Sequence, residues 1–385
     1  MPHELLEGKA DTYQHFLSSE AKISLVEFSD DFHFRIQTIE SPTLLVRHIS
    51  TYGQATNQGE LSDAFFALML SFHPGGYSST DPLSNAGPHP PGPTLHWHLA
   101  NCSCVSHHCN SKVTYLRLES AALLRELSAQ AITVSQLNSL QSVAAPASLV
   151  HLIEDLAEQL AYTDLNQHLT IIEAFFNRLG QELRHLLGPP TGSDANAAGH
   201  ISITMAWMMS RLSESISLQK LAKAIGLTPR SVQACFKNSL GISPMRWLKL
   251  ARMSQLRQYL WSAENKHLSI KQMMGLSGLS DTSLNRQCYE NLYGVSPREE
   301  RHQREAHAKQ QRGGENAPLH LQFESLKAAI QYLNALDKHS SDINRSYKII
   351  MLIKSITDDR SNRAAKKPSL RPDDGQSRSA SSVTA

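Results

Sequence analysis

Four histidines and three of the chain's five cysteines fall within the fourteen residues "HWHLANCSCVSHHC", His96 to Cys109. Imidazole nitrogen and thiolate sulfur are the donors that Zn²⁺ and other borderline metals prefer. On a strand, His96 and His98 would share one face, and so would Cys102 and Cys104, because alternate residues point the same way. The pairs are H-x-H, C-x-C and H-H-C, without the C-x2-C and H-x3-H periods of a zinc finger. His96, His98, Cys102 and Cys104 are thus candidate ligands of a strand-borne zinc site. The competing reading is a Cys- and His-rich loop beside a small-molecule pocket, with no cofactor at all.

Other catalytic chemistry finds little footing. The chain has no P-loop glycine motif, no G-x-S-x-G elbow and no H-E-x-x-H, and "HPGGY" alone is a turn. A non-enzymatic protein is expected. No stretch approaches the roughly 18 to 20 uncharged apolar residues that span a bilayer, and "MPHELLEGKADTYQHF" lacks a basic segment followed by an apolar one. That predicts a cytoplasmic protein with no membrane partner, and the odd number of cysteines fits reduced thiols.

The second pattern able to do chemistry is written twice. "GLTPRSVQACFKNSLGISP" runs from Gly226 and "GLSDTSLNRQCYENLYGVSP" from Gly278, 52 residues later. Ahead of the first copy, Ser217 can cap a helix whose Leu218, Leu221, Ala222 and Ile225 share a face. Gly226 stops it, since glycine takes positive φ without steric cost. Thr228 can cap the next helix, with Pro229 at its first position and Val232 and Phe236 facing inward. The second copy repeats the grammar with Ser269, Gly278 and Ser280 as cap, turn and cap. Between them "PMRWLKLARMSQLRQYLW" predicts a helix of 18 residues, about 27 Å long at the usual rise. That length approaches the roughly 34 Å between major-groove faces on one side of DNA.

Charge supports a polyanionic partner. Residues 201–312 hold 17 Lys/Arg against 7 Asp/Glu, a balance of +10, whereas the rest of the chain carries 20 against 28, or −8. A selectively basic segment is the footprint of a part that meets double-stranded DNA.

These two motifs, their spacing, Arg252 of the connecting helix and both "G[IV]SP" ends resemble the C-terminal DNA-binding region of AraC/XylS-type transcription regulators, over about 100 residues from Met205 to His302. The resemblance implies a sequence-specific regulator with two helix-turn-helix motifs in adjacent major grooves. It implies DNA-binding residues Thr228, Arg230, Gln233, Ala234 and Lys237 in the first motif, and Thr282, Ser283, Arg286 and Gln287 in the second. Arg suits guanine, Gln adenine and Lys phosphate. It further implies RNA polymerase as a partner, a small-molecule effector or protein partner at the N-terminal domain, and a possible homodimer. The second copy departs from the family pattern at Met274, Ser277 and Asn285. A bulky and a polar residue at expected core contacts predict looser packing there, and a first motif that reads bases better.

The remaining chain divides by texture. "HFRIQTI", "PTLLVRHIS" and "TYLRLE" read as strands, broken by the loop "HPGGYSSTDPLSNAGPHPPGP". "SLVHLIEDLAEQLA" and "HLTIIEAFFNRLGQELRHLL" read as helices. The expected fold is α+β: an N-terminal β-rich, cupin-like effector or dimerisation domain with closing helices (1–187), a linker (188–200), an all-α double helix-turn-helix domain (201–312), an accessory helical extension (313–357) and a disordered tail (358–385). The competing function is an architectural protein binding DNA mainly through phosphates.

Overall fold

The computed structural model describes residues 3–19, 23–72, 76–79, 92–140, 142–163 and 165–313. The tail, and all but the first residue of the accessory extension, lie outside the described residues.

The strands are β1 (His3–Lys9), β2 (Ile23–Phe28), β3 (His33–Glu40), β4 (Leu44–Tyr52), β5 (Gln54–Glu60), β6 (Phe65–Ser71), β7 (Gly76–Ser79), β8 (Thr94–His98), β9 (Ser103–Cys109), β10 (Lys112–Glu119) and β11 (Val143–Ala144). They form two antiparallel sheets, one ordered β1-β3-β4-β10-β6-β8-β11 and the other β2-β5-β9-β7. The expected loop after Phe72 therefore contributes one strand, β7, which pairs with β9. Alternation gives the larger sheet two apolar faces. Leu68, Leu70, Leu95, Trp97, Leu116 and Leu118 face one buried cluster, while Phe34 and Ile36 join Tyr13, Leu17, Phe32 and Ala55 in another.

The helices are α1 (Ala10–Ser19), α2 (Ser120–Ala129), α3 (Val134–Asn138), α4 (Ala147–Tyr162), α5 (Leu165–Leu187), α6 (Gly192–Met209), α7 (Leu218–Ala224), α8 (Pro229–Leu240), α9 (Pro244–Trp261), α10 (Ile270–Leu276), α11 (Ser283–Tyr293) and α12 (Pro297–Gly313). The stretch expected to be a linker corrects to helix from Gly192 onward. Thr191 caps α6 by accepting from the Asp194 N–H at 3.3 Å, and Asp194 sits in the first turn where the helix dipole favours an anion.

The described residues belong to one compact unit. A single apolar cluster runs from Ile39 of β3 to Leu292 of α11, and the Trp247 indole N–H donates to the Ala121 carbonyl at 3.3 Å. A buried ionic network joins the same two parts. Arg257 of α9, its side chain 5% exposed, donates Nε to Glu300 of α12 at 2.8 Å, Nη1 to the Pro42 carbonyl at 2.8 Å and Nη2 to Glu40 of β3 at 3.2 Å. Glu40 also receives Arg117 at 3.3 Å and Arg304 at 2.8 Å. Glu300 further accepts from the Trp261 indole at 2.8 Å and from the Tyr289 hydroxyl.

Burial alone would push the Glu40 carboxyl up, but Arg304, Arg257 and Arg117 outweigh it and hold it down at about 2. A folded-state value below the ordinary 4.5 means the carboxylate's contribution is complete above about pH 4.5 and is lost as pH falls toward 2. Glu40→Ala leaves guanidiniums buried without their shared carboxylate, and is expected to cost about 3 to 5 kcal/mol. In urea unfolding monitored by tryptophan fluorescence, the wild type should lose stability steeply below pH 4.5, and this part of the acid dependence should be absent in Glu40→Ala.

Candidate DNA interface

Each motif is set by local chemistry. Ser217 caps α7, Thr228 caps α8 with Pro229 following, and Ser243 caps α9. Ser269 forms a reciprocal capping box with Gln272 at the start of α10. The last cap corrects the sequence reading: Thr282, not Ser280, accepts the Asn285 N–H at 3.3 Å. Thr282 directly precedes the first helical residue, whereas Ser280 lies two residues too early. Both "G[IV]SP" segments open with left-handed glycine C-caps, Gly241 at φ +72° and Gly294 at φ +79°.

The opening glycines share a φ of +72° but not an environment. Gly226 has open space where a side chain would be, whereas a methyl on Gly278 would overlap the Leu212 carbonyl oxygen and press on Arg252. Arg252 itself donates to Leu212 O at 2.9 Å and Glu214 O at 2.6 Å. The connecting helix thus holds the entry to the first motif against the turn of the second.

The recognition helices present opposite faces to core and solvent. In α8, Val232, Phe236 and Leu240 are buried, and Thr228, Arg230, Gln233, Ala234 and Lys237 are all exposed. In α11, Asn285, Tyr289 and Leu292 are buried, and Thr282, Ser283, Arg286 and Gln287 are exposed. The structure brings each predicted set onto one open helix face. It also removes the reason for ranking the motifs. Met274 is fully buried, and the Ser277 hydroxyl donates to Met273 O at 2.8 Å. The Asn285 amide donates to Ser280 O at 2.7 Å and Ser280 Oγ at 3.2 Å, and its carbonyl accepts from Lys249 Nζ. A buried polar side chain with its hydrogen bonds made does not loosen a core.

Three features escaped the sequence reading. Asp281 holds Arg286, accepting from Nε at 2.9 Å and Nη2 at 2.7 Å, so this guanidinium is oriented before any base is met. Leu284 stands 76% exposed among the polar residues of α11; a helical wheel would have placed it outward. The third is a cavity of about 150 Å³ between the sheets, lined from α1, β2, β4, β5, β6, β8, β9 and β10 and by Asn291 to Gly294 at the end of α11.

The His and Cys cluster is strand-borne, but it is split. His96 and His98 lie on β8 of the larger sheet and Cys104 on β9 of the smaller one. His96 Nδ1 pairs with Ser142 Oγ at 3.0 Å. His98, Cys104 and His108 line the cavity, where burial pulls both imidazoles down to about 4 and pushes the Cys104 thiol up to about 12. Among the described residues no three His, Cys, Asp or Glu side chains form a group able to hold a metal ion. Cys102 lies in the turn between β8 and β9, so it and Cys104 do not share a strand as the sequence spacing suggested.

Residues 221–303 match the family model described as "Helix-turn-helix domain". The chain is 28% identical over 102 residues to the probable thc operon regulatory protein of Rhodococcus erythropolis, covering 26% of this chain and 31% of that one. It is 30% identical over 97 residues to the transcriptional regulator GbdR of Pseudomonas aeruginosa, covering 25% and 26%. It is 25% identical over 146 residues to the transcriptional activator RhaS of Yersinia pestis, covering 38% and 52%. The chain thus spans between about a quarter and a half of the length of these relatives. Among solved structures, the AraC-like transcriptional activator CuxR aligns at 10% identity over 76% of this chain and all of that one, with a TM-score of 0.39.

Gly278→Ala should destabilise the protein more than Gly226→Ala, which meets only the left-handed backbone penalty of about 1 to 2 kcal/mol; paired thermal melts check the order. Arg230→Ala and Arg286→Ala should each cost about 1 to 3 kcal/mol of discrimination at one base pair, and Asp281→Ala should weaken the same base preference as Arg286→Ala. Competition binding against single-base variants of the site tests both. Residues 221–303, with their paired motifs on one connecting helix, are thus similar to a helix-turn-helix domain family and to parts of bacterial transcriptional regulators.

Proposed function

We propose that this chain is a sequence-specific, non-enzymatic transcription regulator whose two recognition helices enter adjacent major grooves of double-stranded DNA. The observation that carries this reading is the pair of capped helices with open polar faces, Thr228 to Lys237 and Thr282 to Gln287, joined by the rigid α9 of 18 residues. Arg230 and Arg286 offer forked donors to guanine, Gln233 and Gln287 amides to adenine, and Lys237 a charge to phosphate. Leu284 adds an apolar contact suited to a thymine methyl.

Control passes through the N-terminal domain. Support comes from the cavity, whose wall includes Leu292, Tyr293 and Gly294 of the second motif, and from Ser62, which donates to the Leu292 carbonyl at 2.8 Å. An occupant that distinguishes two arrangements of this wall shifts the second motif between them. The family resemblance adds RNA polymerase as a partner of the DNA-bound protein and a homodimer as an assembly. Among the described residues no helix is long and apolar enough to cross a membrane.

Selection of bound sequences from a random DNA pool tests the reading with the full chain. One well-defined motif spanning two half-sites about 10 base pairs apart is expected. Binding without enrichment would instead favour the architectural alternative. At the selected site, affinity should exceed that for random DNA by about 10³-fold or more at physiological salt, and Lys237→Ala should weaken both alike.

A further inference from the structure

We propose that Glu119 is a proton-operated latch between the β-rich part and the helix-turn-helix part of the chain. As a neutral acid it holds the start of α2 against α9 and α11, and on losing its proton it loosens that hold. The consequence for DNA rests on the reading proposed above.

Glu119 ends β10, caps α2 and is 2% exposed. Its backbone is pinned: its own N–H donates to Thr43 O at 3.0 Å, and that of Ser120 to Ala64 O at 2.7 Å. The carboxyl is therefore kept in the junction. Its Oε2 accepts the Ala122 N–H of α2 at 3.1 Å, and the Ser254 hydroxyl of α9 hydrogen-bonds to the same carboxyl. Tyr293, the last residue of α11, lies close enough for its phenol to feel the Glu119 charge. Two further contacts cross the junction beside it. The Trp247 indole of α9 donates to Ala121 O at 3.3 Å, and Phe65, the strand partner of Glu119, meets Tyr293 edge to face at 5.7 Å. One carboxyl thus stands where α2, α9 and α11 meet.

The charged groups around this carboxyl are mostly committed to one another. Arg117, two residues back on β10, is held by Glu40 at 3.3 Å, and Arg257 of α9 by Glu300 and Glu40 at 2.8 and 3.2 Å. Asp63, next to Ala64, is paired with Arg246 of α9. On the α11 side stand Cys288 and Tyr293, whose phenol is held well above its ordinary range by burial. Strand β6 brings no charge, and α6 and α8, which also pack on α2, bury none. Arg184 of α5 meets α2 at its far end, at the Gln130 and Ala131 carbonyls. Arg125 of α2 itself is exposed and acts more weakly than burial. Burial therefore prevails and pushes the Glu119 carboxyl up to about 7, above its ordinary 4.5. Its neutral form stabilises the closed junction fully below about pH 4.5, and this contribution is lost as pH rises through about 7. A carboxylate formed there is relieved when the junction admits water. The closed junction fixes the end of α11 while both reading faces stay open, so loosening it costs DNA affinity.

The test is solvent exchange of the Trp247 indole N–H, followed by NMR on the full chain and assigned with Trp247→Phe, in the wild type and in Glu119→Gln. Glutamine keeps the cap and does not ionise. The ratio of exchange rates, wild type over variant, should rise about tenfold between pH 6 and pH 8, the change that one group moved from 4.5 to about 7 allows. Ser254→Ala removes a hydrogen bond to the carboxylate, so it should move the onset of faster exchange to higher pH, and it serves if Glu119→Gln does not fold. A ratio that stays flat from pH 6 to pH 8, or an onset that Ser254→Ala leaves in place, overturns the latch. At the selected DNA site, wild-type affinity should fall by about threefold or more relative to Glu119→Gln over the same range; identical pH profiles overturn the latch's bearing on DNA. Absence of any selected site at either pH sinks the DNA reading alone, because indole exchange involves no DNA.

Discussion

Arg257 sits in the second half of the connecting helix with its guanidinium withdrawn from water, and a buried cation without carboxylates costs several kcal/mol. One of its partners, Glu300, comes from its own domain; the other, Glu40, comes from the β sandwich. The helix-turn-helix part therefore draws part of its charge balance from the β-rich part. Phe65 and Tyr293 meet edge to face at 5.7 Å beside the same network.

The connecting helix does more than set a distance. Arg252 ties its middle to the Leu212 and Glu214 carbonyls, and Lys249 reaches Asn285 in the second recognition helix. Both motifs are thus fixed to one rod by polar contacts as well as by packing. Their asymmetry in this structure lies in the turn and the core. The first motif leaves Gly226 open, whereas the second presses Gly278 against backbone and replaces an apolar core contact with a satisfied amide.

The sandwich separates two jobs across one sheet. Leucines and Trp97 on one side of β6, β8 and β10 bind the helices, while residues of the opposite parity, Ala67, Met69, His98, Tyr115 and Arg117, line the cavity. Arg117 reaches from the cavity to the network at Glu40. That single side chain places the cavity within one ion pair of α9 and α12.

The sequence by itself determined what depends on neighbours along the chain. Caps at Ser217, Thr228 and Ser269, the paired glycine turns, the inward Val232 and Phe236, the long α9 and the outward polar sets were legible because helix period and capping act within a few residues. Tertiary structure alone decided what depends on distant partners. Asn285 looked like a packing fault until Ser280 and Lys249 were seen to meet it. The His and Cys cluster, contiguous in sequence, is shared out among β8, β9 and the turn between them. The segment after Gly188 looked like a linker because its composition hid a capped helix. Helical spacing puts Arg257 on the stripe of Trp247, Leu250 and Leu260, but the carboxylate that permits its burial, Glu40, lies more than two hundred residues away. Charge compensation is a property of space, and no local pattern records it.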